Sequence, residues 1–255
     1  EYVKWNMNRN MSCVGSAKLP PNRQAETAHR YMLGLYSVLE EIITAFPNIL
    51  FEGCSGGGGR FDAGMMYYFN QYWTSDDTDA AERMYIQHGT SLVMPSAFMG
   101  SHISAVPNHQ VGRISPLKTR GYIAMCGQFG YELDVTKMTA DELNEIKEQI
   151  EVYKSVREVI HNGDMYRLAS PFESRNAAWE YVAEDKKTVV MFFFTVMTAP
   201  SQQMKYIKLD GLCADKLYRL RGTDEIYGGD VLMNRGICLA DECDCGGQML
   251  VFDLV

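Results

Sequence analysis

A chain of 255 residues, 46% hydrophobic and 22% charged, has the balance of a globular protein with room for one large domain or two ordinary ones. A formal net charge of -8 with no Lys/Arg run excludes a general nucleic-acid binder, and no apolar stretch approaches the roughly 20 residues that a membrane span needs. The expected partner is a neutral or polar small molecule, with no nucleic acid and no membrane.

The chain opens inside a strand, Tyr2-Val3-Lys4-Trp5, without an initiator Met. A preceding segment is therefore expected, and the lack of a signal peptide carries no information on secretion. A helix follows over 25–45, with Met32, Leu35, Leu39, Ile42, Ile43 and Phe46 on one side at three- and four-residue steps, and Pro47 stops it. That stripe is core. Next come a strand at Ile49-Leu50-Phe51, a helix over 60–69, a strand at Gln71-Tyr72-Trp73, a helix over 79–88 and a strand at Leu92-Val93-Met94. Alternation at this spacing implies parallel strands joined by crossover helices.

A second long helix starts at Thr139, which with Glu142 forms a capping box, and runs to Asn162-Gly163 with Leu143, Ile146, Ile150, Tyr153 and Ile160 facing inward. Beyond Gly163 the texture changes to strands and turns: 178–183, 189–196, 204–209, 217–220, 231–233 and 249–254. The fold class expected is α/β over 1–163, followed by a small antiparallel β-sandwich over 164–255.

Seven cysteines at irregular spacings, in a chain too large to need staples, favour a reducing compartment, and the cytoplasm is the expected location. Cys243-Asp244-Cys245 with Cys238 nearby lacks the second close ligand pair of a zinc site. A structural role is the preferred reading, and no metal or cofactor is expected.

In a closed parallel barrel the working side chains gather at the carboxyl ends of the strands. Here those ends carry Lys4, Asn6 and Asn8, then Cys54 and the glycine loop, then Ser75, Asp76 and Asp77. The four glycines Gly56 to Gly59 are followed by Arg60-Phe61 instead of the Lys and Ser/Thr of a phosphate loop. Two readings of that loop stay open, close backbone approach to a ligand and a plain flexible turn. Asp79, with Glu82 three residues on, reads as a helix N-cap; Asp76, with no capping role, is the catalytic candidate. Trp5 and Trp73 are either a sugar platform or packing residues.

Four motifs in order, Lys4 to Arg9, Cys54 to Asp62, Trp73 to Ala80, and Met99 to His102 continuing through Val106 to His109, resemble the α-galactosidases of glycoside hydrolase family 36. The resemblance runs through the β-sandwich and matches the latter part of a family member. It implies the latter part of a (β/α)8 TIM barrel, preceded in such enzymes by the first barrel strands and a large N-terminal β-sandwich. It also implies retaining hydrolysis of terminal α-galactosides such as melibiose and raffinose, and a homo-oligomer at full length. The family's nucleophile, an aspartate in Lys-Trp-Asp-Met-Asn-Arg, falls on Asn6 and its acid/base on Asp76. Lys4, Asn8, Cys54 and Gly57 match positions that contact galactose hydroxyls, and Arg60 and Asp62 match residues that hold the loop. An amide at position 6 is a poor nucleophile, so the covalent step is expected to fail or slow severely. A galactosyl-transferring relative and a non-catalytic galactoside-binding protein are the alternatives.

Overall fold

The computed structural model describes every residue except Arg9, Asn10, Met11, Cys13, Gln202, Gln203 and Glu242; the Arg9 end of the first motif and Cys13 thus lie outside the described residues. The chain divides into two compact units, Glu1–Asp76 and Asp77–Val255.

The first unit contains β1 (Tyr2–Asn6), α1 (Thr27–Ala45), β2 (Leu50–Cys54), the one-turn helix α2 (Ala63–Met66) and β3 (Gln71–Trp73). The three strands run parallel with β2 in the middle: Lys4 pairs with Glu52, Glu52 with Gln71, and Gly53 with Tyr72. Strand alternation sorts their side chains onto two faces. Trp5, Phe51 and Tyr72 pack with Leu39, Met65 and Phe69 beneath the helices. Lys4, Asn6, Glu52, Cys54, Gln71 and Trp73 take the opposite, polar face.

The α1 stripe faces this core at Met32, Leu35, Leu39, Ile42 and Ile43, but Phe46 does not. It is 55% exposed at the helix C-cap, with φ −130 and ψ 60, because the Pro47 ring disfavours helical backbone in the residue before it. The helix expected over 60–69 shrinks to α2. Asp62, held extended at φ −135, starts it late by accepting the Met65 amide at 3.0 Å, while the Phe61 ring stacks on Tyr72 with centroids 4.9 Å apart.

The second unit begins with α3 (Ala80–Ser91), β4 (Met99–Ser104), α4 (Leu117–Met125), β5 (Gln128–Glu132) and α5 (Ala140–Asn162), with β4 and β5 parallel. The strand expected at Leu92-Val93-Met94 is a turn instead. The Val93 and Met94 amides donate back to Thr90, and Leu92 and Val93 are 61% and 77% exposed. The strand itself lies later, at β4, where Gly, Ser and His give no apolar run. The Thr139–Glu142 capping box forms as expected.

Then come β6 (Asp164–Ala169), β7 (Asn176–Val182), β8 (Thr188–Thr195), β9 (Lys205–Ile207), β10 (Leu217–Leu220), β11 (Ile226–Gly228), α6 (Gly229–Asn234), β12 (Ile237–Leu239) and β13 (Gly246–Leu254). Six of these strands form an antiparallel sheet in the order β11-β10-β13-β8-β7-β6, and β9 pairs with β12. The segment expected as a strand at Val231-Leu232-Met233 is α6, a helix held by the Asp230 side chain on the Val231 amide and by Asn234 on the Asp230 carbonyl. Both faces of the central strands are covered. Trp179, Tyr181, Phe192 and Phe194 pack with Val156 and Ile160 of α5, while Met191, Phe193 and Phe252 pack with Leu232, Ile237 and Leu239. That double burial explains why β8 reads as an unbroken apolar run.

Candidate active site

The polar face of the first unit is built in layers along the strands. In one layer Lys4, Glu52 and Gln71 are cross-strand neighbours on β1, β2 and β3. Glu52 is 5% exposed, and its Oε1 faces the Lys4 ammonium at 3.2 Å. Its Oε2 accepts from the Gln71 amide at 2.7 Å and from the Tyr2 hydroxyl. The Lys4 ammonium also lies over the Trp73 ring, 5.5 Å from the centroid.

One layer further toward the carboxyl ends, exposed Asn6 pairs with buried Cys54. Trp73, which ends β3, is buried, and its indole N–H donates to Oδ1 of exposed Asp76 at 3.2 Å. Beyond them Asn8 accepts the Gly56 amide at 2.9 Å, and the Ser55 hydroxyl donates to the Met7 carbonyl at 2.7 Å. The glycine loop is thereby tied to the end of β1. Gly57 has φ +83, and a Cβ there would lie 2.6 Å from Ser75 Cα and 2.9 Å from the Asp76 amide nitrogen. The loop backbone therefore lies directly on the segment that carries Asp76, which side chains at this position would prevent. Arg60 donates to the Cys54 carbonyl at 3.4 Å and Asp62 caps α2, so both hold the loop.

The catalytic and sugar-contact candidates from the sequence, Lys4, Asn6, Asn8, Cys54, Gly57, Trp73 and Asp76, all fall within this unit, Lys4 midway along β1 and the others at or just beyond the strand ends. Trp5 packs instead, with its ring 6.4 Å from Phe69. Two residues were missed. Glu52 was legible as a charge in the middle of Leu-Phe-Glu-Gly-Cys, where alternation sends it to the face of Cys54. Gly53 is required because its Cβ would fall 2.0 Å from the Tyr72 ring.

In the second unit Asp79 is the N-cap expected, accepting the Ala81 and Glu82 amides at 3.1 Å and pairing with Arg113. The fourth motif supplies His102, whose Nε2 lies 2.5 Å from Glu132, and Asn108, which donates to Thr78 at 3.1 Å. Asp244 accepts the Thr198 amide and hydroxyl at 2.7 and 2.6 Å, a turn-holding role. Among the described residues no group of three or more His, Cys, Asp or Glu is placed to hold a metal ion, and no helix is long and apolar enough to cross a membrane.

The family model for melibiase matches residues 1–163, and that for the glycosyl hydrolase family 36 C-terminal domain matches residues 176–252. The chain belongs to the melibiase family. Melibiase relatives include alpha-galactosidase AgaA of Geobacillus stearothermophilus, 55% identical over 238 residues, which are 93% of this chain and 32% of AgaA. Alpha-galactosidase Mel36A of Lactobacillus acidophilus is 48% identical over 236 residues, 92% of this chain and 32% of its own. The crystal structure of an AgaA variant in complex with raffinose matches with a TM-score of 0.96 at 52% identity, covering 100% of this chain and 35% of that one. The chain thus spans about a third of the length of these melibiase relatives. Its fold is the latter part of a (β/α)8 barrel followed by an antiparallel β-domain. The AgaA protein holding raffinose carries an aspartate-to-asparagine exchange, and one holding stachyose carries an aspartate-to-alanine exchange. Those two aspartates are as far apart in sequence as Asn6 and Asp76.

Proposed function

We propose that this chain carries the sugar-binding and catalytic face of a retaining exo-α-galactosidase acting on terminal α-galactosides such as melibiose and raffinose. The barrel portion is residues 1–163, and the β-domain 164–255. The cytoplasm is the proposed location, and a homo-oligomer the proposed full-length assembly. Asn6 occupies the position of the nucleophile and Asp76 that of the acid/base. Lys4, Asn8, Cys54 and Gly57 bind the galactose ring, and Trp73 acts by orienting Asp76. The observation that carries this reading is the shared spacing of Asn6 and Asp76 with the two exchanged aspartates of the sugar-bound AgaA proteins.

In retaining hydrolysis a carboxylate at position 6 attacks the anomeric carbon as the glycosidic bond breaks, and Asp76 gives its proton to the leaving oxygen. Asp76, now ionised, then takes a proton from water, whose oxygen displaces the enzyme carboxylate and regenerates both groups. An amide at position 6 keeps the shape of the site and removes the attacking charge. Loss of one preorganised electrostatic group costs on the order of 10²–10³ in rate elsewhere, and loss of the nucleophile costs more.

Asn6 itself favours a second reading, galactoside binding without turnover. Two experiments separate these. Calorimetric titration of the chain with melibiose should give saturable heat, and with maltose none; equal response to both sugars contradicts galactoside recognition. A chimera in which residues 1–255 replace the matching portion of AgaA then reports turnover, with and without Asn6→Asp.

A further inference from the structure

We infer that Glu52 is a positioning residue of the sugar site, acting through Lys4 to fix a hydrogen-bond donor for the galactoside; the inference rests on the function proposed above. A carboxylate buried in the middle of a parallel strand carries a large desolvation cost unless it is paired and hydrogen-bonded. Here Lys4 and Gln71 share the layer of Glu52, directly beneath Asn6 and Cys54, and Tyr2 reaches up from the layer below. The Gln71 amide, at 2.7 Å, and the Tyr2 hydroxyl hold Oε2, and this fixes where Oε1 points. Oε1 meets the Lys4 ammonium at 3.2 Å.

A lysine head on a four-carbon stem has many rotamers in water, and an anion fixed beneath it selects one of them. That rotamer also sets the ammonium 5.5 Å from the Trp73 centroid, on the ring whose N–H reaches Asp76. An ammonium has three N–H donors. One is committed to Glu52, and the others remain for ligand hydroxyls on the open side, where the Lys4 side chain is 39% exposed. Sites with donors placed in advance discriminate strongly for a hydroxyl in the matching position. Glu52 never touches the sugar in this arrangement, and its whole effect passes through Lys4.

The test is titration of melibiose into the chain and its variants, read by calorimetry and, for weak variants, by ligand-observed NMR. Glu52→Gln should weaken binding about tenfold or more, the scale of a charge-assisted hydrogen bond. Glu52→Asp, which keeps the charge, should recover part of that loss. In a Lys4→Met background the same Glu52→Gln change should cost less than about twofold, since its target is gone. A merely structural role would weaken binding equally in both backgrounds, and that result, or undiminished binding by Glu52→Gln alone, overturns the inference. If Glu52→Gln does not fold, Gln71→Met, which removes only a donor from Oε2, replaces it with the same expected dependence on Lys4. Failure of the unaltered chain to bind melibiose overturns the galactoside reading and this inference with it; binding that is insensitive to Glu52 overturns the inference alone.

Discussion

The indole N–H of Trp73 donates to Oδ1 of Asp76 at 3.2 Å, while the face of the same ring lies under the Lys4 ammonium. One buried ring therefore fixes both the proposed acid/base and a proposed sugar ligand. Trp73→Phe keeps most of the ring's packing and removes the donor. In the Asn6→Asp chimera it should lower kcat about tenfold or more, the worth of a hydrogen bond to a charged group. Steady-state kinetics on an aryl α-galactoside checks this.

Asp76 and Asp79 stand three residues apart and should respond oppositely to substitution. Asp76 is exposed and caps no helix, so Asp76→Asn should leave thermal stability unchanged while abolishing hydrolysis by the Asn6→Asp chimera. Asp79 is 1% exposed, caps α3 and pairs with Arg113. Asp79→Ala should cost about 1–2 kcal/mol of stability, from the lost cap. Denaturant unfolding beside activity separates the two.

Gly57 and Gly56 make a matched pair. Both have positive φ, at +83 and +57, but a Cβ on Gly57 meets the Ser75 and Asp76 backbone, whereas one on Gly56 meets open space. Gly56→Ala should cost about 1–2 kcal/mol, from backbone conformation alone. Gly57→Ala should cost more and also weaken melibiose binding, because the segment after β3 that carries Asp76 must move. Unfolding midpoints and calorimetry report both effects.

The polar face was legible because strand alternation and side-chain type agreed: Lys4, Asn6 and Asn8 occupy every second position of one segment, and Asp79 announced its cap through Glu82. What was missed had local signals pointing elsewhere. Leu92-Val93-Met94 is apolar but lies in the turn after α3, and Val231-Leu232-Met233 is apolar in a helix too short to show a period. The strand β4 hid behind Gly, Ser and His. The charge of Glu52 was legible inside its strand, but the roles of Glu52 and Gly53 come from neighbours on other strands, Lys4 and Tyr72, and only the register brings those together.

Glu180 gives the β-domain a pH dependence. It is fully buried on β7, accepts the Asp210 amide at 2.5 Å, and is pushed up to about 8 by burial, with the Asp210 charge adding to the shift. A carboxyl raised in the folded state binds its proton more tightly there than in the unfolded chain. Its favourable contribution is complete below the unfolded carboxylate range and is lost as pH rises toward 8. Stability should therefore fall between about pH 5 and 8. Glu180→Gln should flatten that fall and stabilise the chain by about 1–3 kcal/mol at pH 9. Urea unfolding across this pH range measures it.

The most direct test is the initial rate of aryl α-galactoside hydrolysis by the AgaA chimera with Asn6 and with Asn6→Asp. A carboxylate restored at the end of β1, opposite an intact Asp76, should raise the rate by at least about 10³-fold and yield product with retained anomeric configuration. A chimera that folds and binds melibiose yet hydrolyses no faster after Asn6→Asp would contradict the assignment of Asn6 to the nucleophile position.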